Sequence, residues 1–111
     1  MKLKVCGLSR KKEIITCVNH EVEFCGLILN YPKSHRHITF SRARELIKIK
    51  RKKTKFVGVL VNPTNKDLKK FSHLKLDYFQ LYGKYDNSKL RLIKNKFKKK
   101  IISVIVVKKK K

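Results

Sequence analysis

Lys55-Phe56-Val57-Gly58-Val59-Leu60-Val61 decides the fold class. After its first residue, the stretch is apolar at odd and even positions alike. A strand with one wet face alternates apolar and polar side chains. A run without alternation belongs to a sheet covered on both faces, and such sheets are parallel. The same pattern recurs on either side. Leu3-Lys4-Val5-Cys6 and Glu23-Phe24-Cys25-Gly26-Leu27-Ile28-Leu29 precede it. Asp77-Tyr78-Phe79-Gln80-Leu81-Tyr82 and Ile101-Ile102-Ser103-Val104-Ile105-Val106-Val107 follow. β-Branched and aromatic residues dominate all five, as buried strands require.

Helical patterns fill the gaps. Ser9 is placed to cap a helix that turns Ile14, Ile15 and Val18 inward. Thr39 or Ser41 opens a second, with Ala43, Leu46 and Ile47 on one face. Thr64 and Asp67 form a capping-box pair ahead of Leu68 and Phe71. Asp86 or Ser88 opens a fourth, carrying Leu90, Ile93 and Phe97. Lys96, Lys98, Lys99 and Lys100 are placed to complement that helix's C-terminal dipole.

The order is therefore β-α-β-α-β-α-β-α-β, with five parallel strands and four crossover helices. An open doubly wound sheet and the front of an eight-stranded (β/α) barrel both fit it. In either, function sits at the carboxyl ends of the strands. Those ends are Cys6-Gly7, the loop from Asn30 to His37, Asn62-Pro63 and Tyr82-Gly83. A Gly-x-Gly-x-x-Gly fingerprint and a Walker lysine loop are both missing, so dinucleotide or ATP binding has no support.

Composition narrows the classes further. The 111 residues carry 31 Lys+Arg against 7 Asp+Glu, a formal net charge of +24. The arginines are Arg10, Arg36, Arg42, Arg44, Arg51 and Arg91, and every other basic residue is lysine. Base-reading proteins favour the planar arginine fork. Lys, Ile, Asn, Tyr and Phe have adenine- and thymine-rich codons. The charge is read first as a solvated lysine surface from an AT-rich genome, with nucleic-acid contact limited to nonspecific attraction. The apolar blocks are too short to span a bilayer, and the first residues lack a signal-peptide core. Cys6, Cys17 and Cys25 lack the spacing of a zinc knuckle or a redox pair. A reducing, cytoplasmic setting is expected.

Cys6 stands at the end of the first strand, before a glycine turn and a helix N-terminus. Arg10, Lys11 and Lys12 follow it. Such surroundings favour a thiolate, which serves as nucleophile or general base. A small buried hydrophobe is the plain alternative. Cys17 and Cys25 fit that alternative better. In Tyr31-Pro32-Lys33-Ser34-His35-Arg36-His37, Arg36 can fork a carboxylate or phosphate. His35 and His37 lack partners at metal-ligand spacing, so no metal site is expected.

Val5-Cys6-Gly7-Leu8-Ser9-Arg10 resembles the K-x-C-G-[IL]-[ST]-R opening of the phosphoribosylanthranilate isomerases of tryptophan biosynthesis. Phe24-Cys25-Gly26-Leu27-Ile28 looks like that family's D-x-x-G-F-I-F strand. Tyr31-Pro32-Lys33-Ser34-His35-Arg36 looks like its x-P-x-S-P-R loop. Val57-Gly58-Val59-Leu60-Val61-Asn62 is similar to V-G-V-F-V-N, and Tyr78-Phe79-Gln80-Leu81-Tyr82-Gly83 to x-V-Q-L-H-G. Five motifs stand in the family's order and spacing.

The resemblance implies the N-terminal half of a (β/α)8 TIM barrel, a single partial domain over residues 1–111. It implies an Amadori rearrangement of N-(5-phosphoribosyl)anthranilate to 1-(2-carboxyphenylamino)-1-deoxyribulose 5-phosphate, without cofactor or metal. The family's cysteine base falls on Cys6, and the arginine that holds the anthranilate carboxylate falls on Arg36. Tyr82 stands where the family has histidine and is a further substrate-binding candidate. His35 replaces the proline before the loop arginine. The family's general-acid aspartate and its phosphate-cradling loops have no counterpart in these residues.

Lys108-Lys109-Lys110-Lys111 can be encoded by an unbroken adenine run. A truncated or frameshifted isomerase is therefore expected, with negligible turnover alone. Its unpaired edge strands would favour self-association, and a separately encoded second half would complete it. The alternative is a non-enzymatic basic βαβ module that binds nucleic acid.

Overall fold

A computed structural model of the chain describes residues 4–83 and 85–104. The end of the last apolar run, Ile105 to Val107, and the terminal lysines lie outside the described residues, as does Leu3. The elements alternate without exception. They run β1 (Lys4–Cys6), α1 (Lys11–Asn19), β2 (Phe24–Ile28), α2 (Phe40–Leu46), β3 (Lys55–Val61), α3 (Asn65–Phe71), β4 (Tyr78–Tyr82), α4 (Asn87–Phe97) and β5 (Lys100–Val104). The five strands form one sheet in the order β1-β2-β3-β4-β5, and every pair is parallel. Spatial order equals chain order. A doubly wound sheet reverses direction at a switch point, so this winding is of the barrel kind.

Register assigns each side chain to a face. Val5 pairs with Cys25, Cys25 with Phe56, Leu60 with Leu81 and Phe79 with Ile101. These residues point outward, under the helices. Cys25, Phe56, Leu60, Phe79 and Leu81 are buried there with Ile14, Ala43, Leu46, Leu68 and Phe71 from the helices. Cys6, Gly26, Val57 and Tyr78 share the other face, as do Ile28, Val59, Gln80 and Ile102. That inner face is covered only in part. Phe24, Ile28, Val61, Tyr78 and Ile102 are half-buried, because five described strands do not close around them. Two-sided coverage, expected from the unbroken apolar runs, holds in full for the helix side alone.

The helix caps are local chemistry. Thr39 and Thr64 accept the N–H of Arg42 and Asp67, and Asp86 accepts that of Lys89. Helix α1 departs from expectation. Its N-cap is Arg10, and the Glu13 carboxylate accepts the N–H of Ser9 and of Arg10, each at 3.0 Å. Its buried residues are Ile14, Cys17 and Val18, whereas Ile15 is 44% exposed. The inward stripe thus follows i, i+3, i+4, as the helix period demands.

The amino ends of the strands are pinned by charge. Asp77 Oδ2 accepts from Arg51 Nη1 and from the Phe56 N–H, both at 2.8 Å. Arg51 also donates to the Lys75 carbonyl at 2.7 Å, and its guanidinium lies 4.3 Å over the Phe56 ring. Lys99 Nζ donates to the Leu74 and Leu76 carbonyls. It therefore serves the loop after α3 rather than the α4 dipole. No helix among the described residues is long and apolar enough to cross a membrane.

Candidate functional site

The carboxyl ends of β1 and β2 bring the site together. Beyond Cys6 the chain turns sharply, with the Gly7 and Leu8 N–H groups both donating to the Gly26 carbonyl. Gly7 holds φ at +78°, a conformation that favours glycine. Cys6 is exposed on the inner face. Its partner in register is Gly26, where a Cβ would lie 2.9 Å from the Cys6 Sγ. The missing side chain of Gly26 is the space the thiol occupies.

Arg36 arrives from the loop after β2. Asn30 anchors that loop by mimicking a strand. Its Oδ1 accepts from the Val61 N–H at 2.6 Å, and its Nδ2 donates to the Val61 carbonyl at 3.0 Å. The loop returns when the Ile38 N–H donates to the Ile28 carbonyl. His37 is spent on this closure, with Nε2 3.1 Å from the Leu29 carbonyl oxygen. Ser34 Oγ accepts the Arg36 N–H at 3.2 Å. The Arg36 side chain then lies across Gly7. A Cβ on Gly7 would sit 2.7 Å from Arg36 Cδ, and Arg36 Nη1 donates to the Gly7 carbonyl at 3.4 Å. Cys6 and Arg36, far apart in sequence, thus meet across one glycine.

Further groups frame the pair. Arg42 Nε donates to the Ser9 carbonyl at 3.3 Å. The Glu13 carboxyl is held below its usual range, chiefly by the Ser9 N–H, with the Arg10 N–H and the charges of Arg10 and Arg36 adding to it. Glu13 was not among the residues expected at the site. The only signal for it is an acid three residues after Arg10.

Cys17 and Cys25 belong to the core. Burial, reinforced by Cys17, pushes the Cys25 thiol up to about 12. Among the described residues, no group of three His, Cys, Asp or Glu side chains could hold a metal ion.

Tyr82 lies at the same end of the sheet, on β4, and is half-buried. Its hydroxyl accepts from Gln80 Nε2 at 3.1 Å. Gln80 belongs to the Tyr78–Gly83 motif quoted above, but the sequence assigns it no role at the site, although a lone amide inside an apolar run is a visible signal. The site lies along the carboxyl rim of the sheet's inner face. A groove of about 620 Å³ runs instead along α4, past Leu92, Ile93 and Phe97, and shares no residue with the rim.

The family model for N-(5'-phosphoribosyl)anthranilate (PRA) isomerase matches residues 3–110. The N-(5'-phosphoribosyl)anthranilate isomerase of Streptococcus mutans is 35% identical over 86 residues, covering 77% of this chain and 44% of the relative. That of Thermoanaerobacter sp. is 37% identical over 84 residues, covering 75% and 40%. Among solved structures, a phosphoribosyl anthranilate isomerase in complex with reduced 1-(o-carboxyphenylamino)-1-deoxyribulose 5-phosphate superposes with a TM-score of 0.81. It is 27% identical, with 93% of this chain and 52% of that one covered. The Thermotoga maritima enzyme, as an engineered monomer, gives a TM-score of 0.83 at 25% identity, with 98% and 55% covered. The chain spans less than half the length of these curated relatives.

Proposed function

The chain belongs to the N-(5'-phosphoribosyl)anthranilate isomerase family, and from that premise we propose that its Cys6–Arg36 rim is part of an isomerase site of tryptophan biosynthesis. The observation that carries the reading is the meeting of Cys6 and Arg36 across Gly7. Arg36 clamps the anthranilate carboxylate with its planar fork. The bound amino sugar then opens when an acid protonates the ring oxygen, leaving a Schiff base at C1. Cys6 takes the C2 proton as general base. The electron pair moves onto the Schiff-base nitrogen, and the enolamine becomes the ketone. Tyr82 binds the same substrate further along the rim.

The inner-face residues of the five strands include no carboxylate. The inner faces of these strands therefore supply neither the acid nor the phosphate-binding groups. A further polypeptide segment that packs on the half-buried inner face would supply them. Turnover by this chain alone is negligible on this reading. Three free thiols suit a reducing, cytoplasmic setting.

Titration with reduced 1-(o-carboxyphenylamino)-1-deoxyribulose 5-phosphate, followed by the fluorescence of its anthranilate ring, tests the reading. Arg36→Ala should weaken binding roughly 10- to 100-fold, the worth of a charge-assisted hydrogen bond. Cys6→Ser should leave binding nearly unchanged. Equal affinity of wild type and Arg36→Ala would overturn the assignment.

A further inference from the structure

Among the described residues, Gln80 is the one polar side chain buried in the middle of the inner face. It is 2% exposed and stands in register with Val59 on one side and Ile102 on the other. Its Nε2 is satisfied by the Tyr82 oxygen at 3.1 Å. Its Oε1 has no hydrogen-bond partner among the described residues. An apolar residue would fill this place at lower cost, since a half-satisfied buried amide is expensive in a low dielectric. The amide therefore does something that packing does not ask of it.

What it does follows from donor and acceptor roles. A phenol has one proton and an oxygen that accepts. Gln80 Nε2 occupies that oxygen from below, so the Tyr82 proton turns away from Gln80 and out of the strand. Tyr82 lies at the carboxyl end of β4 on the face that holds Cys6. Three strand spacings separate β1 from β4, about 14 Å along the sheet. A ligand whose carboxylate sits at Arg36 must therefore extend across the sheet to meet Tyr82.

We propose that Gln80 is a positioning residue that fixes the Tyr82 hydroxyl as a donor toward the inner face, and that this donor takes a sugar-derived oxygen of the bound ligand. The ligand half of the proposal rests on the functional reading above. The orienting half stands on the Gln80–Tyr82 contact alone.

The test compares two probes: reduced 1-(o-carboxyphenylamino)-1-deoxyribulose 5-phosphate and anthranilate, which lacks the sugar. Tyr82→Phe should weaken the first about tenfold, a typical loss for one oriented hydrogen bond, and leave the second unchanged. Gln80→Glu should do the same, because its carboxylate accepts the phenol proton and draws it inward. In Tyr82→Phe the further change Gln80→Glu should cost nothing more, as coupled residues require. If Gln80→Glu lowers thermal stability but leaves the ratio of the two affinities unchanged, or if the two losses simply add, Gln80 is structural and the proposal fails.

Should neither probe bind the wild-type chain, the functional reading fails and takes the ligand half with it. The orienting half is then decided in the free protein. The tyrosine Raman doublet of Tyr82, isolated as wild type minus Tyr82→Phe, should report an oxygen that accepts, and Gln80→Leu should abolish that signature. An unchanged doublet in Gln80→Leu would overturn it.

Discussion

Asp77 and Arg51 meet at 2.8 Å at the amino end of the sheet, and the same Asp77 oxygen accepts the backbone N–H of Phe56. The Asp77 N–H in turn donates to the Phe56 carbonyl at 2.9 Å. One residue thus extends the β3–β4 ladder with both its side chain and its backbone. Asp77→Ala should strand the Phe56 N–H and the Arg51 guanidinium together. A loss of about 1–3 kcal/mol is expected in urea unfolding. Asp77→Asn should lose less, because the amide oxygen still accepts from Phe56.

The three thiols should separate cleanly by reactivity. Cys6 is exposed, whereas Cys17 and Cys25 are buried. Under native conditions iodoacetamide should label Cys6 alone, and mass spectrometry should find the other two only after denaturation. Rapid native labelling of Cys17 would contradict the packing of α1 on β2.

Cys25 also sets an alkaline limit on stability. Its thiol rises from the ordinary 9.0 to about 12 on folding, chiefly through burial. The folded state therefore binds this proton more tightly than the unfolded chain does. The resulting stability is intact below pH 9.0 and drains away as pH climbs toward about 12. Urea midpoints should fall across that window. The fall should be shallower in Cys25→Val, which has no thiol to ionise.

Gly26 should prove intolerant for a reason specific to Cys6. A Cβ there would lie 2.9 Å from Cys6 Sγ and 3.3 Å from Cys6 Cα. Gly26→Ala should force the thiol to another rotamer and slow its alkylation, at a stability loss of about 1–3 kcal/mol. Alkylation of Gly26→Ala at the wild-type rate would show that the thiol has room to spare.

Lys99 should behave unlike the lysines around it. Burial holds its ammonium below the usual lysine range, and it donates to two carbonyls. Lys99→Met should therefore destabilise by about 1–2 kcal/mol. Exposed Lys94→Gln should stabilise slightly at low salt, because it relieves self-repulsion in a chain of formal charge +24. Parallel urea titrations of the two variants at low and high salt check the contrast.

Much of the architecture was legible because the strand runs are long, β-branched and bounded. Lys55–Val61 is read from sequence with both ends correct. What escaped was set by three-dimensional neighbours. Ile14 and Ile15 are alike to a pattern, and only the core decides that Ile14 turns in. Lys99 stands in a lysine run, and nothing local marks it as the one that reaches back to Leu74. Cys6 and Arg36 were legible as residues, through motif and loop position. Their common rim was legible too, but the packing of Arg36 across Gly7 was not, because it forms only after β1 and β2 pair. Gln80 is legible as a motif residue, but its contact with the Tyr82 hydroxyl is not, because only the strand conformation puts the two side chains on one face.

The strictly sequential strand order has a consequence for synthesis. Among the described strands, each after the first pairs with the one made just before it, so none of these pairings waits for a distant partner. Such nearest-neighbour contacts keep loop-closure entropy low and favour rapid, stepwise folding. Cys6, Gly26 and Arg36 all belong to the first two βα units. All three are translated before β4, and each later strand adds to a sheet that already includes the strand of the Cys6 thiol.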